Sequence, residues 1–256
     1  KTNNIKSGEY LLKPELNPVD LLNLLVSGKV IQYSFTIVEG WQFADMIQAI
    51  NLTDLLEHTL YLDGSEDIMI QLGYPNKVVE GLFFPDTYNF PKGTTDKEFL
   101  QRAYLRLHDV LNDEWQSSAK DLPYKTPYEA LIMASIIEKE TSLASERSTI
   151  AGVFIRRLNK GMKLQTDPTV IYALGKDFNG DIRKKDLNID SPYNTYRYKG
   201  LPPSPIALVG REAIHAALNP ETGKSLYFVA KGDGSHYFSD TLKEHNQAVV
   251  KYQLKK

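Results

Sequence analysis

The chain has 256 residues, of which 42% are hydrophobic, enough for one large domain or for a main domain with a small companion. A formal net charge of -2 gives no reason to expect a nucleic-acid-binding protein, which usually carries a basic excess. The absence of cysteine excludes disulfide bonds and thiolate metal sites, and no apolar run approaches the roughly 18 residues of a membrane-spanning helix.

The N-terminal part of the chain predicts a strand, a helix and a second strand. Residues 8–12 have the composition of a short strand, and residues 30–38 alternate as a strand does. Between them, Asn17 and Pro18 form a favourable helix start ahead of the leucine-rich residues 19–25. Because a unit of this size is small for independent stability, we expect it to pack against the remainder of the chain.

The following segments are predicted to be mostly helical. Residues 43–50, 53–60 and 66–72 each predict a short helix. Residues 80–94 are aromatic and interrupted by prolines, which favours a strand and a turn.

Two longer helices begin at patterns typical of capping boxes. Thr95 and Glu98 form the first pattern, which opens a helix to about residue 118. Thr126 and Glu129 repeat it and open the next helix.

The last part of the chain combines helices with one predicted hairpin. Helices are predicted at residues 146–159, 168–173, 212–218 and 241–252, and strands at residues 225–230 and 236–238. The whole therefore predicts an α+β fold that is mostly helical. Residues 188–210 are rich in proline, tyrosine and asparagine, and ordered loops of such length tend to be functional.

Most familiar catalytic motifs are absent from the sequence. There is no G-x-S-x-G, no H-E-x-x-H, no Walker pattern and no G-x-G-x-x-G after a strand. The five histidines are scattered without metal-ligand spacing, so we expect no metal and favour packing or surface roles for them. His236, beside Tyr237 and Phe238, is the one histidine with a candidate site role.

The end of the helix that Thr126 opens is chemically unusual. The almost wholly apolar residues 130–137 are followed directly by Glu-Lys-Glu-Thr. Counting back three, four and seven residues from the second glutamate, Glu140, gives an apolar face of the helix. That face consists of Ile137, Ile136 and Met133.

Two effects should raise the pKa of Glu140 if this face is buried. Desolvation disfavours the ionised carboxylate, and the negative end of the helix dipole disfavours it further, by about 0.3–1 kcal/mol. Burial is the larger effect, and a carboxyl kept protonated near neutral pH suits general-acid catalysis. The alternative is a solvated helix end, in which Lys139 and Arg147 neutralise Glu138 and Glu140.

Several long segments of the chain closely resemble the YceG-like family. They are EGLFFPDTYNF, ASIIEKETSLASERSTIAGVFIRRL, GMKLQTDPTVIYALG, YNTYRYKGLPPSPIALVGREAIHAALNP and LYFVAKGDGSHYF. The resemblance implies a bacterial lytic transglycosylase that cleaves peptidoglycan glycan strands within the strand. It also implies that Glu140, the second glutamate of the E-K-E-T motif, is the catalytic acid, with no cofactor and no metal.

The resemblance further implies a domain organisation and a location. Residues 1–50 would form a LysM-like β-helix-β subdomain, and residues 51–256 a mostly helical catalytic domain with a short β-hairpin. A single membrane anchor is expected upstream of Lys1, which would hold the catalytic domain on the outer side of the cytoplasmic membrane. The expected partners are glycan strands and cell-wall synthases such as penicillin-binding proteins.

Five further residues are candidates for contact with a glycan. Gln165, Tyr193, Asn194 and Tyr196 have side chains suited to a sugar cleft, and Glu146 is a candidate for orienting Glu140 or the substrate. Asp167, by contrast, is favoured as the cap of the helix that follows it.

Two other functional classes remain open. One is a pyridoxal-phosphate lyase, because proteins of this family have been labelled aminodeoxychorismate lyases, although no phosphate cradle is evident. The other is a non-catalytic glycan-binding scaffold for cell-wall synthases, against which the intact E-K-E-T motif argues.

Overall fold

The computed structural model of the chain describes residue 5 and residues 8–60 and 65–254. Over these residues the chain forms α-helices and two small antiparallel sheets of two strands each, which confirms the predicted α+β class. The helices are α1 Pro18–Ser27, α2 Phe43–Asn51, α3 Ser65–Gln71, α4 Asp96–Gln116, α5 Pro127–Glu140, α6 Ala144–Asn159, α7 Asp167–Leu174, α8 Arg211–Leu218 and α9 Leu242–Val249. The strands are β1 Gln32–Thr36, β2 Thr87–Pro91, β3 Tyr227–Ala230 and β4 His236–Ser239.

The two capping boxes predicted for the long helices differ in the structure. At the start of α4 the box is complete, because the Thr95 hydroxyl accepts the Glu98 N–H at 3.1 Å and the Glu98 carboxylate accepts the Thr95 N–H at 2.9 Å. At the start of α5 only the Thr126 hydroxyl caps, accepting the Glu129 N–H at 3.3 Å. The Glu129 carboxylate accepts the N–H of Lys125 instead.

The predicted strand at residues 8–12 is wrong. These residues form no strand ladder; Ile31 N donates to Glu9 O at 2.8 Å, and Leu11 and Leu12 are exposed. With no apolar face to bury, the segment gains little from pairing as a strand. The predicted helix α1 is confirmed, and Asn17 caps it.

The strand predicted at residues 30–38 is confirmed in a shorter form, β1, and its partner lies far along the chain. β1 pairs antiparallel with β2, from Gln32 opposite Pro91 to Thr36 opposite Thr87. The first sheet therefore joins residues on both sides of the predicted boundary at residue 50. The LysM-like character of the N-terminal part stays a prediction.

A buried acid explains why the predicted helix at residues 53–60 is wrong. The segment instead forms turns that lie against the start of α4, where the carboxylate of Asp96 is fully buried. Asp96 accepts hydrogen bonds from the N–H groups of Thr59, Leu60 and Lys97 and from the Thr59 hydroxyl, at 2.7–3.2 Å. These tertiary bonds take the donors that a helix over residues 53–60 would need.

A second buried acid joins three separate parts of the fold. The Glu80 carboxylate accepts the N–H of Phe43 at the start of α2 at 3.0 Å, and the hydroxyl of Tyr172 on α7 at 3.4 Å. Burial raises the pKa of Glu80 to about 7. Next to it, Gly81 has a left-handed φ of 75°, and a Cβ atom there would lie 2.4 Å from the Pro205 side chain.

Helix α5 lies at the centre of the molecule. Residues 130–137 are all buried, as their apolar composition predicts, and α5 packs against α4, α6, α7 and α8. The one polar side chain in this run, Ser135, donates to Ile132 O at 2.7 Å and accepts from Ile206 N at 3.0 Å. The buried Ser135 hydroxyl is therefore paired. Packing of α5 against its neighbours fixes the position of its C-terminal end.

The predicted hairpin near the C-terminus is confirmed. β3 pairs antiparallel with β4, from Tyr227 opposite Ser239 to Ala230 opposite His236. Helix α9 packs against both strands and continues into a π-helical turn at Val250–Leu254. Over the described ranges, every helix falls short of the length and apolarity that spanning a bilayer requires.

Replacing the buried acid of α4 should destabilise the fold. We expect Asp96→Ala to lower the free energy of unfolding by about 2–4 kcal/mol, because it leaves several buried donors without an acceptor. Urea unfolding followed by circular dichroism measures the change. The control is Asp109→Ala, an exposed position on the same helix, and equal losses in the two variants would contradict the assigned role of Asp96.

Candidate active site

The C-terminal end of α5 opens into a cleft of about 460 Å³. Glu140 is the last residue of α5, and the chain then leaves the helix in an extended conformation at Thr141, whose φ is -146°. The Thr141 side chain is buried, and its hydroxyl accepts the N–H of Leu143, which shapes the short connection to α6. The helix end therefore places the Glu140 carboxyl at the inner surface of the cleft.

Several separate parts of the chain form the cleft around Glu140, including Arg157 of α6. One wall comes from the segment before α7 and from the long loop, a second from the β3–β4 hairpin, and a third from α9 and the turn after it. The lining residues are Glu140, Arg157, Leu164, Gln165, Asp167, Tyr196, Tyr227, Phe228, Val229, Ala230, His236, Leu242, His245, Asn246, Val249 and Gln253. Aromatic rings and amides among them are the groups that commonly contact sugars.

The environment of Glu140 raises the pKa of its carboxyl to about 7. Burial is the largest cause, as the apolar helix face predicts. The hydroxyl of Thr166 donates to Oε2 of Glu140 at 2.6 Å and opposes the shift, whereas the negative charge of Asp167 adds to it. Electrostatic interactions with His236 and Arg157 lower the pKa of Glu140 by smaller amounts. Near neutral pH, Glu140 therefore exists in both protonation states.

The alternative of a neutralised helix end is confirmed only for Glu138, which pairs with Arg147, and not for Glu140. The Glu138 side chain is 6% exposed, accepts the N–H of Gly210 at 3.1 Å and lies 3.8 Å from Arg147. Burial raises the pKa of Glu138 as well, but this residue does not line the cleft. The ammonium group of Lys139 donates to Gly40 O at 3.0 Å rather than to either acid.

Two of the predicted glycan-contacting residues line the cleft. Tyr196 donates its hydroxyl to Oδ1 of Asp167 at 2.5 Å, and burial raises its pKa. Gln165 has a left-handed φ of 54° and donates its N–H to Thr195 O at 3.2 Å. The predicted capping role of Asp167 is wrong: α7 starts at Asp167 with no side-chain cap, and the carboxylate bonds to Tyr196 inside the cleft.

Tyr193 and Asn194 lie behind the cleft wall instead of lining it. The Tyr193 hydroxyl is 2.6 Å from Ser204 Oγ, and its ring lies 4.8 Å from that of Tyr172. Asn194 is fully buried, donating its amide to carbonyls of the preceding turn at 2.9–3.0 Å and accepting the N–H of Tyr196. Their polar atoms are used within the protein, so both residues shape the loop that presents Tyr196.

Glu146 also lies outside the cleft, but its partner lines it. The two carboxylate oxygens of Glu146 accept the backbone N–H of His236 at 3.0 Å and approach Nδ1 of its ring at 2.7 Å. His236 is thus part of the cleft, in agreement with its candidate role, and Glu146 does not approach Glu140 directly.

Two further residues of the site, Arg157 in the cleft wall and Thr166 bonded to Glu140, were not predicted from the sequence. Arg157 is held by bonds to Leu226 O at 2.6 Å and Leu164 O at 2.7 Å, with its guanidinium 5.0 Å from the ring centre of Tyr227. Thr166, which bonds to Glu140, is buried. Its position beside Gln165 in one of the family-like segments was the only sequence signal, whereas Arg157 resembles any basic residue on a helix.

The cleft offers acid–base chemistry with one carboxyl of raised pKa. Within the described ranges it is lined by no lysine, so the pyridoxal-phosphate alternative finds no amine there for an imine. Acids and histidines also form no group of three suited to a metal ion in the described part of the chain.

Comparison with known proteins identifies relatives of the whole chain. The model of the YceG-like family matches residues 1–251. A protein of Bacillus subtilis named endolytic murein transglycosylase is 44% identical over 174 residues, which is 68% of this chain and 48% of the relative. A protein of the same name from Streptococcus pneumoniae strain D39 is 28% identical over 283 residues, covering 97% of this chain and 51% of the relative.

A solved structure extends the likeness to the fold. The crystal structure of a YceG-like protein from Listeria monocytogenes matches with a TM-score of 0.69 and 33% identity, covering 95% of this chain and 85% of that one. The chain spans about half the length of the curated relatives it matches. Because the family model covers nearly the whole sequence, the chain belongs to the YceG-like family.

Proposed function

We propose that this chain carries the catalytic centre of an endolytic peptidoglycan transglycosylase, a lyase that acts within glycan strands. The observation that carries the proposal is the Glu140 carboxyl, with a pKa of about 7, in a cleft lined by aromatic and amide side chains. Relatives named endolytic murein transglycosylase support the same substrate. The bond cleaved would join N-acetylmuramic acid to N-acetylglucosamine.

A single acid suffices for this reaction. Glu140 in its protonated form gives its proton to the glycosidic oxygen, and the bond from that oxygen to C1 of the muramoyl unit breaks. The Glu140 carboxylate then takes the proton of the muramoyl C6 hydroxyl, whose oxygen forms a bond to C1. The products are a free 4-hydroxyl and a 1,6-anhydro ring, no water is consumed, and Glu140 is protonated again.

The position of Glu140 suits both steps. A pKa near 7 makes the acid form available for the first proton transfer and leaves a carboxylate basic enough for the second. Thr166 holds one carboxyl oxygen at 2.6 Å and so fixes the orientation of the group. Ordinary glycosidases use two acids, one of which activates water or becomes a nucleophile.

The cellular setting follows from the proposed substrate. Peptidoglycan lies outside the cytoplasmic membrane, so we place the action of this chain on that side. A membrane anchor upstream of Lys1, binding of glycan by the LysM-like part and contact with cell-wall synthases remain parts of the proposal.

Removing the acid should abolish cleavage. We expect Glu140→Gln to lower the rate by about 10²–10⁴-fold, the usual contribution of a general acid, while the variant still folds. Peptidoglycan is digested with the protein, and mass spectrometry counts 1,6-anhydromuramic ends. The matched control is Glu138→Gln, which alters a buried carboxyl of the same helix outside the cleft.

Two outcomes of this digestion would contradict the proposal. Reducing ends in place of anhydro ends would indicate hydrolysis by a second acid. Binding of glycan strands without cleavage by the unaltered chain would favour the scaffold alternative.

The raised pKa of Glu140 predicts that, as pH rises, the activity of the unaltered chain falls while the stability of Glu140→Gln relative to the unaltered chain increases. Activity should fall as pH rises through about 7, because the acid form is lost. The folded carboxyl binds its proton more tightly than the unfolded one, so its ionisation destabilises the fold increasingly between pH 4.5 and about 7. Relative to the unaltered chain, Glu140→Gln should therefore gain stability across this window, by at most about 3 kcal/mol above pH 7.

Urea unfolding of both proteins at pH 4.5 and pH 8 measures this difference. Glu80, whose pKa is also about 7, is present in both proteins and cancels in the comparison. An equal stability difference at the two pH values would mean that Glu140 titrates normally.

Asp167 separates a one-acid from a two-acid mechanism. If Glu140 acts alone, Asp167→Asn should retain activity within about 10-fold and still yield anhydro ends. Because the charge of Asp167 raises the pKa of Glu140, the fall in activity should move to lower pH. Initial rates across pH test this, and a loss as deep as that of Glu140→Gln would show that Asp167 is a second essential acid.

A further inference from the structure

The pair formed by Glu146 and His236 is unusually well defined for residues 90 positions apart. One oxygen of the Glu146 carboxylate accepts the His236 backbone N–H at 3.0 Å, and the other lies 2.7 Å from ring Nδ1. Both side chains are mostly buried, at 15% and 11% exposure. The carboxylate therefore constrains both the backbone and the ring of the histidine.

This contact determines how the imidazole faces the cleft. A carboxylate beside Nδ1 accepts a hydrogen bond, so Nδ1 carries the proton and Nε2 of the neutral ring is an acceptor. The Phe228 ring meets the imidazole edge to face, with centroids 5.4 Å apart and planes at 88°, which restricts its rotation. The described hydrogen bonds of His236 use its backbone N–H and ring Nδ1, which leaves Nε2 available, and His236 lines the same cleft as Glu140.

We propose that His236 is a substrate-binding residue of this cleft and that Glu146 is its positioning residue. Nε2 accepts a hydrogen bond from a saccharide donor beside Glu140, either a hydroxyl or the N–H of an acetamido group. Glu146 acts through His236 by fixing the tautomer and the ring orientation. The inference rests on the proposed function for the identity of the saccharide. It adds a residue that accepts a hydrogen bond from the sugar.

A purely structural role is the competing explanation. Glu146 is in the first turn of α6 and His236 begins β4, so the pair also fastens the hairpin to that helix. A similar pair, His215 and Glu114, has its Nδ1 to carboxylate distance at 2.8 Å, yet its ring is 61% exposed and lies outside the cleft. What distinguishes His236 is that it lines the same cleft as Glu140, whereas His215 does not.

Two substitutions of His236 separate these explanations. Asn places an amide near the position of Nδ1, so His236→Asn keeps a donor to Glu146 but leaves nothing at the position of Nε2. Gln reaches the position of Nε2, so His236→Gln keeps a polar group in the cleft but weakens the contact with Glu146. A structural anchor predicts that the Gln variant is worse, and a substrate contact predicts that the Asn variant is worse.

The first measurement is the affinity for soluble, uncross-linked peptidoglycan glycan strands, made in a Glu140→Gln background so that nothing is cleaved. We expect His236→Asn to weaken binding about 10-fold with an unchanged unfolding midpoint, and His236→Gln to bind within about 3-fold. The matched control is His215→Asn, which alters the other histidine–glutamate pair and should leave binding unchanged. In the cleaving protein, His236→Asn should lower kcat/KM by a similar factor.

The second measurement reads the tautomer directly. In Glu146→Gln, the amide oxygen takes the backbone N–H of His236, and the amide NH₂ then donates to Nδ1. Nitrogen-15 NMR of the histidine ring above pH 8 should show the proton on Nδ1 in the unaltered chain and on Nε2 in this variant. Binding of glycan strands by Glu146→Gln should weaken together with this change of tautomer, because Nε2 has become a donor. If the pair is purely structural, the change of tautomer should leave binding unaltered.

The outcomes distinguish this inference from the proposed function. Anhydro ends from the unaltered chain together with unchanged binding by His236→Asn would overturn the inference and leave the proposed function intact. Binding without cleavage would contradict the proposed function, while the effect of His236→Asn on affinity would still decide the inference. Failure of the Glu140→Gln chain to bind glycan strands would overturn the inference.

Discussion

Burial of one helix end governs the chemistry that this fold can perform. Because residues 130–137 of α5 are almost wholly apolar, the surrounding helices bury this part of the helix, and its last residue, Glu140, lies at the cleft. A carboxyl placed there has little water to stabilise its charge, and the nearest hydrogen bond, from Thr166, compensates only in part. The raised pKa of Glu140 thus comes mainly from packing, with a smaller contribution from the charge of Asp167, and it depends on the core around α5.

The rest of the cleft depends on this buried end through contacts between distant segments. Thr166 and Asp167 belong to the start of α7, which packs on α5, and Tyr196 reaches them from the long loop. On the opposite side the hairpin approaches through His236 and its bond to Glu146. The cleft therefore lies between elements that are each tied to the same helical core, and under the proposed function this arrangement would orient a flexible glycan strand.

The parts of the structure that could be predicted from the sequence are those encoded over short distances. The helix face behind Glu140 follows from three- and four-residue spacing, and the Thr95 cap follows from its box. The contact of Glu140 with Thr166 spans 26 positions, and no local pattern encodes it. Residues 53–60 were misassigned for the same reason, since the acid that takes their backbone donors, Asp96, belongs to the next long helix.

Tyr193 and Asn194 show that residue type alone does not identify the residues that line a cleft. Their composition suits a sugar cleft, but the same hydrogen-bonding groups serve equally well to fold an irregular loop, and the structure uses them for that purpose. Only the three-dimensional arrangement separates a residue that faces substrate from one that supports it.

The pairing of β1 with β2 has a consequence for how this protein can be modified or recombined. Here β1 completes a sheet with residues 87–91, and Phe43 donates to Glu80, whose carboxylate also meets Tyr172 on the helix that begins at the cleft. A graft that replaced residues 1–50 would have to reproduce a strand edge and a buried N–H donor, because contacts of these residues extend to the helix that begins at the cleft.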